Sequence, residues 1–299
     1  LHNTGHSFPT RRSSDLLGPG GIAGVLTLDP VSIDLGGSVS VAASALRFEV
    51  NNGLAAVTLA DGTALPAGPY VRMVGEGIVL TLGGPTLTAS FSFTQRTTAG
   101  GATRTVVAVT GGSLALAVGE TPLLTGVEGI FVVAPTGLAG SLAGTIDLGG
   151  VLPAGVTVSG TFRLETNQTT ARVTESVVLA GTTVSLDVPA GPYLKVAGTD
   201  VVVTIAGQSL RGDVAFERTG TATRLTFAHV TLRLGDGTTD LVVLSNGTGD
   251  ILLGGTAAAR TMSGSLSVDV AVLVPGVSLT GTVSLEVERT ASLQRVRVG

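Results

Sequence analysis

The chain has 299 residues, a net charge of −4 and no cysteine, with 43% apolar residues, 44 glycines and few aromatics. The absence of cysteine excludes disulfide frameworks, thiolate metal sites and cysteine nucleophiles, and an acidic chain with scattered arginines lacks the basic stripe that nucleic acid or an anionic membrane would require. The apolar content is too high for a disordered linker, yet no uninterrupted apolar run approaches the ~20 residues of a spanning helix.

From the N-terminus, His6 to Leu16 resembles one translated frame of a short-read sequencing adapter, and Leu1-His2 fits the same adapter upstream. Residues 1–16 are therefore expected to lie outside the fold, and the chain reads as a metagenomic fragment whose true ends lie elsewhere. Ala42 to Glu49 is the best helical candidate, but it is short and alternates as well as it spirals. Turn signals then recur at Asn51-Asn52-Gly53, Gly83-Gly84-Pro85, Gly100-Gly101, Gly111-Gly112, Gly149-Gly150, Gly235-Asp236-Gly237 and Asn246-Gly247. Between them the hydrophobic period is two: Val156, Val158, Phe162 and Leu164 share one face, as do Leu210, Val214 and Phe216. The expected fold class is all-β: an elongated tandem-repeat architecture, a solenoid-like stack of short strands and hairpins, with an antiparallel β-sandwich meander as the alternative.

The repeat is explicit. Pro66-Ala67-Gly68-Pro69-Tyr70 returns as Pro189-Ala190-Gly191-Pro192-Tyr193, 123 residues later, and the Gly155–Glu165 string returns at Gly276–Glu286, 121 residues later. A shorter motif, G-x-[ST]-[LV]-x-[GA]-x-[FV]-x-[FL]-[ET], marks Gly84–Thr94, Gly155–Glu165, Gly207–Glu217 and Gly276–Glu286. The expected organisation is the tail of a first unit at 17–64, a full unit at 65–187 and a nearly full unit at 188–299.

Gly276 to Val287, Pro189 to Thr199 and Gly207 to Glu217 resemble the long repeats of very large bacterial surface or secreted proteins, some of them called LEPR-XLL domain-containing. That resemblance implies an exported, extracellular or cell-surface β-repeat protein. It brings no catalytic residue with it.

No polar set converges on an enzyme site. His229 is the sole histidine outside the adapter-like segment and sits in a strand pattern, where a structural role outweighs that of a general base. Glu49, Glu165, Glu217 and Glu286 occupy equivalent repeat positions, and a catalytic pair would be unique rather than periodic, so they read as outward-facing polar residues. Asp236, Asp240 and Asp250 lie near turn glycines but lack a calcium-loop spacing. Asn167 and Asn246 head formal glycosylation sequons that read as chance, Gly18 to Gly24 is glycine-rich without a following helix, and Tyr70 and Tyr193 read as repeated packing residues. Catalytic, metal and cofactor residues are all expected to be none. The expected function is a structural or adhesive repeat segment. The alternatives are an apolar-groove protein that contacts or carries lipid and a carbohydrate-active module. Expected partners are neighbouring repeats of the same chain and cell-surface or matrix components, with self-association of the isolated fragment and no nucleic acid.

Overall fold

The computed structural model describes residues 10–18, 21–36, 39–82, 85–97, 101–116, 121–235, 239–255, 260–274, 276–290 and 293–299. All regular structure among them is β, and Ala42–Glu49 divides between two strands rather than forming a helix. The chain forms two compact units, one of residues 1–140 with 174–187, the other of residues 141–173 with 188–299.

The first unit holds β1 (Thr10–Gly18), β2 (Gly21–Asp29), the hairpin β3 (Val31–Gly36) and β4 (Val39–Ala43), β5 (Ala45–Asn51), and the short hairpin β6 (Val57–Thr58) and β7 (Ala64–Leu65). It continues with β8 (Tyr70–Leu82), β9 (Thr86–Thr97), β10 (Thr103–Ala115), β11 (Leu124–Ala134) and the start of β12 (Gly137–Asp147). The main pairings run β1–β2–β5–β8–β9–β10–β11, every one antiparallel. The β3–β4 hairpin joins this sheet through β4 and β8.

The second unit takes the rest of β12 and then β13 (Val156–Asn167). The hairpin β14 (Val173–Leu179) and β15 (Thr182–Val188) belongs, but for its two end residues, to the first unit, and the second resumes with β16 (Tyr193–Ile205), β17 (Gln208–Thr219), β18 (Ala222–Gly235), β19 (Asp240–Gly255), β20 (Arg260–Val272), β21 (Leu279–Arg289) and β22 (Gln294–Val298). β13 pairs with β16, and each strand from β16 to β22 pairs antiparallel with the next. The tandem-repeat β architecture is thus realised as an antiparallel meander. Short turns dictate this, because a two-residue connection can only return a strand beside its predecessor. At Ala206-Gly207 both residues have positive φ, 50° and 84°, the pair of left-handed conformations that a type I′ hairpin demands.

Both hairpins are anchored by the same device. Asn51 and Asn167 end β5 and β13 and are buried. Asn51 Nδ2 donates to the carbonyls of Ala55 (2.9 Å) and Pro66 (2.7 Å), while Oδ1 accepts from Gly53 N at 2.9 Å. Asn167 Nδ2 donates to Ala171 (2.8 Å) and Pro189 (2.7 Å), and Oδ1 accepts from Thr169 N at 2.8 Å. A buried amide whose donors and acceptor are all engaged pins both ends of the excursion, and leaving any of these groups bare would cost free energy. Gly68 and Gly191 lie so close to the Asn51 and Asn167 carbonyls that a Cβ at either position would overlap the backbone.

The hairpins supply a second layer that a lone sheet lacks. Leu59 and Leu65 from the first hairpin cluster with Ala23 and Val25 of β2 and with Tyr70. Leu179, Val184 and Leu186 of the second are buried and belong to the same unit as the buried Val106, Ala108, Ile130 and Val132 of β10 and β11. The segment 1–16, expected to stand outside the fold, is in part paired: Thr10 to Leu16 align with Asp29 to Ala23. Residues 1–9 lie outside the described residues. Backbone pairing explains this, since the free edge of β2 offers N–H and C=O groups to any extended segment whatever its side chains.

Candidate functional site

In the first unit the covered face carries a cluster of cations. Tyr70, Arg96 and Arg104 lie directly opposite one another on β8, β9 and β10. The next row on the same face is Glu49, Arg72, Thr94, Val106 and Val132. Tyr70 is buried, and its hydroxyl donates to Glu49 Oε2 at 2.7 Å. Burial first, then that hydrogen bond and the glutamate's charge, hold the phenol well above its ordinary value, so it stays protonated. Arg47 Nε donates to the other Glu49 oxygen at 2.7 Å. Glu49 is therefore a buried partner of Tyr70 and not an outward-facing residue; the hairpin that covers it was not visible from local alternation.

The β14 strand closes over this face. Arg104 pairs with Glu175 at 2.7 Å, and Arg72 donates to the Val178 carbonyl at 3.3 Å and to Ser92 Oγ at 3.4 Å. The Arg96 guanidinium stands 5.5 Å from the centre of the Tyr70 ring. A cleft of about 260 Å³ remains, lined by Tyr70, Arg72, Arg96, Arg104 and Glu175 among others.

The equivalent rows of the second unit are built differently. Tyr193 is opposite Thr219, which is opposite Ala222. The next row reads Glu165, Lys195, Glu217, Arg224, an unbroken alternation of charge across four strands. Arg224 is salt-bridged to Asp250 on β19. Tyr193 donates to Glu165 at 3.3 Å, and its hydroxyl is likewise raised, first by burial and then by the charges of Glu165 and Glu217. Tyr70 and Tyr193 thus do the same packing work in each copy, as their periodicity suggested.

A second polar row follows the β-bulges. His229 has φ 54° and Asn246 φ 53°, where the first unit has Gly111 and Gly126 at φ 63° and 60°. His229 Nδ1 lies 2.7 Å from Asp213 Oδ2, and Asp213 Oδ1 accepts the Asp200 amide at 2.8 Å. These two hydrogen bonds, His229 first, hold the Asp213 carboxyl below its ordinary value. The His229 side chain is 84% exposed, and its contact with Asp213 closes the bulge. Asn246 donates to Asp269 at 2.9 Å.

Asp240 pairs with Arg233 at 2.6 Å, and Asp236 lies outside the described residues. Glu217 and Glu286 lie on β17 and β21, Glu286 3.6 Å from Arg297. Gly21 to Gly24 run within β2. Among the described residues no group of three or more histidine, aspartate or glutamate side chains is placed to hold a metal ion. The sequence reading missed the Asn51 and Asn167 anchors. Their signal was present as Glu49-Val50-Asn51 and Glu165-Thr166-Asn167, each followed by the Pro-Ala-Gly-Pro-Tyr string. The sequon at Asn167 is a structural feature, its side chain fully buried and bonded. No family model matches the chain, and neither does any curated protein or solved structure.

Proposed function

We propose that this chain is a structural or adhesive repeat segment of a large exported bacterial protein, acting without catalysis of its own. The observation that carries this reading is the duplicated anchor: a buried asparagine, a glycine with no room for a side chain and a tyrosine–glutamate bond, placed identically in two copies. Duplicated architecture with different surface residues is what a spacer or a multivalent contact surface requires, whereas a catalytic constellation is single and convergent. Display of the chain on a bacterial surface, followed by detachment under flow from matrix-coated glass, tests it. Retention above that of an unrelated β scaffold is expected; equal detachment, together with turnover of a glycan panel by the purified chain, would overturn it.

A second reading is favoured by one observation. On the face opposite the charged rows, Leu164, Val196, Phe216, Leu225 and Ile251 stand side by side across five strands, with Leu164, Val196 and Phe216 38%, 40% and 36% exposed. An uncovered apolar row of that kind suits contact with lipid. Flotation with phosphatidylcholine vesicles tests this reading, and a chain left wholly in the dense fraction would remove it.

A further inference from the structure

We propose that the arginine cleft of the first unit binds an oxyanion group: a carboxylate, sulfate or phosphate carried by a ligand. This goes beyond the scaffold reading and does not depend on it.

Three guanidinium groups, Arg72, Arg96 and Arg104, face the cleft from three adjacent strands. Arg96 and Arg104 are direct cross-strand neighbours, an arrangement in which like charges repel at Cβ separations of about 5 Å. Glu175 answers only Arg104. Glu49, beside Arg72, is already engaged by Arg47 and Tyr70. Among the described residues the Arg96 guanidinium has neither a hydrogen bond nor an ion pair; it stands over the tyrosine face. That stacking orients a planar group with five N–H donors and leaves them unspent. Arginine forks match oxyanions in geometry as well as charge, and a walled cleft screens them less than open solvent does. An anion seated between Arg72 and Arg96 would offset the surplus positive charge that the cleft otherwise carries.

The second copy shows that the repeat does not need this cluster. Thr219 and Ala222 stand where Arg96 and Arg104 stand, and Glu217 replaces Thr94 between the cations. The same backbone is therefore built with neutralised charge in one place and with surplus positive charge in the other. In a chain whose net charge is −4, that local surplus is a specific feature of the cleft.

Calorimetric titration of the whole chain with sodium sulfate, sodium phosphate and sodium glucuronate, at constant ionic strength in chloride, tests the proposal. Saturable binding of at least one probe is expected, and the tightest of the three identifies the charged group the carrier bears. R96Q should weaken it about tenfold, the loss of one charge-assisted contact, and R72Q should do the same independently. E175Q releases Arg104 from its internal partner and should strengthen binding. K195Q, in the second unit, should leave the affinity unchanged. A cooperative melting transition retained well above the titration temperature shows that each variant is folded. The proposal is overturned if none of the three probes gives saturable heat, or if binding survives R96Q and R72Q undiminished. Neither outcome bears on retention under flow, so the scaffold reading stands or falls separately.

Discussion

The rows Arg72–Thr94–Val106 and Lys195–Glu217–Arg224 occupy the same register on the same face of two copies, yet one is covered and the other is not. Where β14 lies over the sheet, the row becomes apolar toward β10 and β11, ending in Val106 and Val132, both buried. In the second unit, where Lys195 and Glu217 are half-buried and Arg224 is exposed, the row becomes an alternating charge ladder ending near Asp250. Cross-strand pairs of opposite charge suit a solvated face, and β-branched pairs suit a covered one. The repeat therefore conserves backbone devices and lets the layer above each sheet select its side chains.

The largest expected effect comes from breaking the anchor that makes the covered face possible. N167A strips partners from the Ala171 and Pro189 carbonyls and the Thr169 amide, and should cost about 3 kcal/mol. Denaturant unfolding measures it, and the hairpin at 174–187 should become the first site of proteolysis. N51A should behave alike on the shorter hairpin; a small cost at either position would show that the excursions are held by packing alone.

The next concerns the apolar face that each unit carries. In the first unit Leu26, Phe48, Met73, Phe93, Val107 and Phe131 form a continuous row like that around Phe216. The isolated chain should self-associate through such faces, and F216D should reduce the association. Sedimentation at several concentrations decides it, and a clean monomer at high concentration would show that these rows are not sticky.

K195E sharpens the contrast between the rows. It places a carboxylate directly between Glu165 and Glu217 and should cost roughly 1 kcal/mol, more at low salt than at high. An R72E counterpart cannot be read this way, because Arg72 also bonds the hairpin carbonyl.

The smallest effect is a pH dependence that arises at a bulge of the second unit. Asp213 titrates below its ordinary 3.8 in the folded chain. Its contribution is complete above the unfolded value and is lost as pH falls through the lower, folded value. D213N should flatten that limb of the acid unfolding curve. Ser90, the first unit's bulge acceptor for the Gly77 amide at 3.1 Å, has no charge to lose, so S90A should leave the limb unchanged.

The sequence by itself determined the strand class, the meander's turns and the long repeat. These are local properties: alternation places side chains on two faces, and glycine or asparagine supplies positive φ wherever a turn or bulge requires it. Val156 to Leu164 and Leu210 to Phe216 are strands where the period of two puts them, and Ala206-Gly207 turns as its residues permit. Only the tertiary structure decided which face is covered. Glu49 and Glu217 sit in alternating strands of the same kind, yet Glu49 is buried against Tyr70 while Glu217 is half-exposed in a ladder. Arg96 and Arg104, eight residues apart, become neighbours only through the β9–β10 register, and gain a wall only from a hairpin about seventy residues further along the chain. Burial depends on what lies above a residue, and that layer comes from distant sequence, so alternation shows that a face exists but not what covers it.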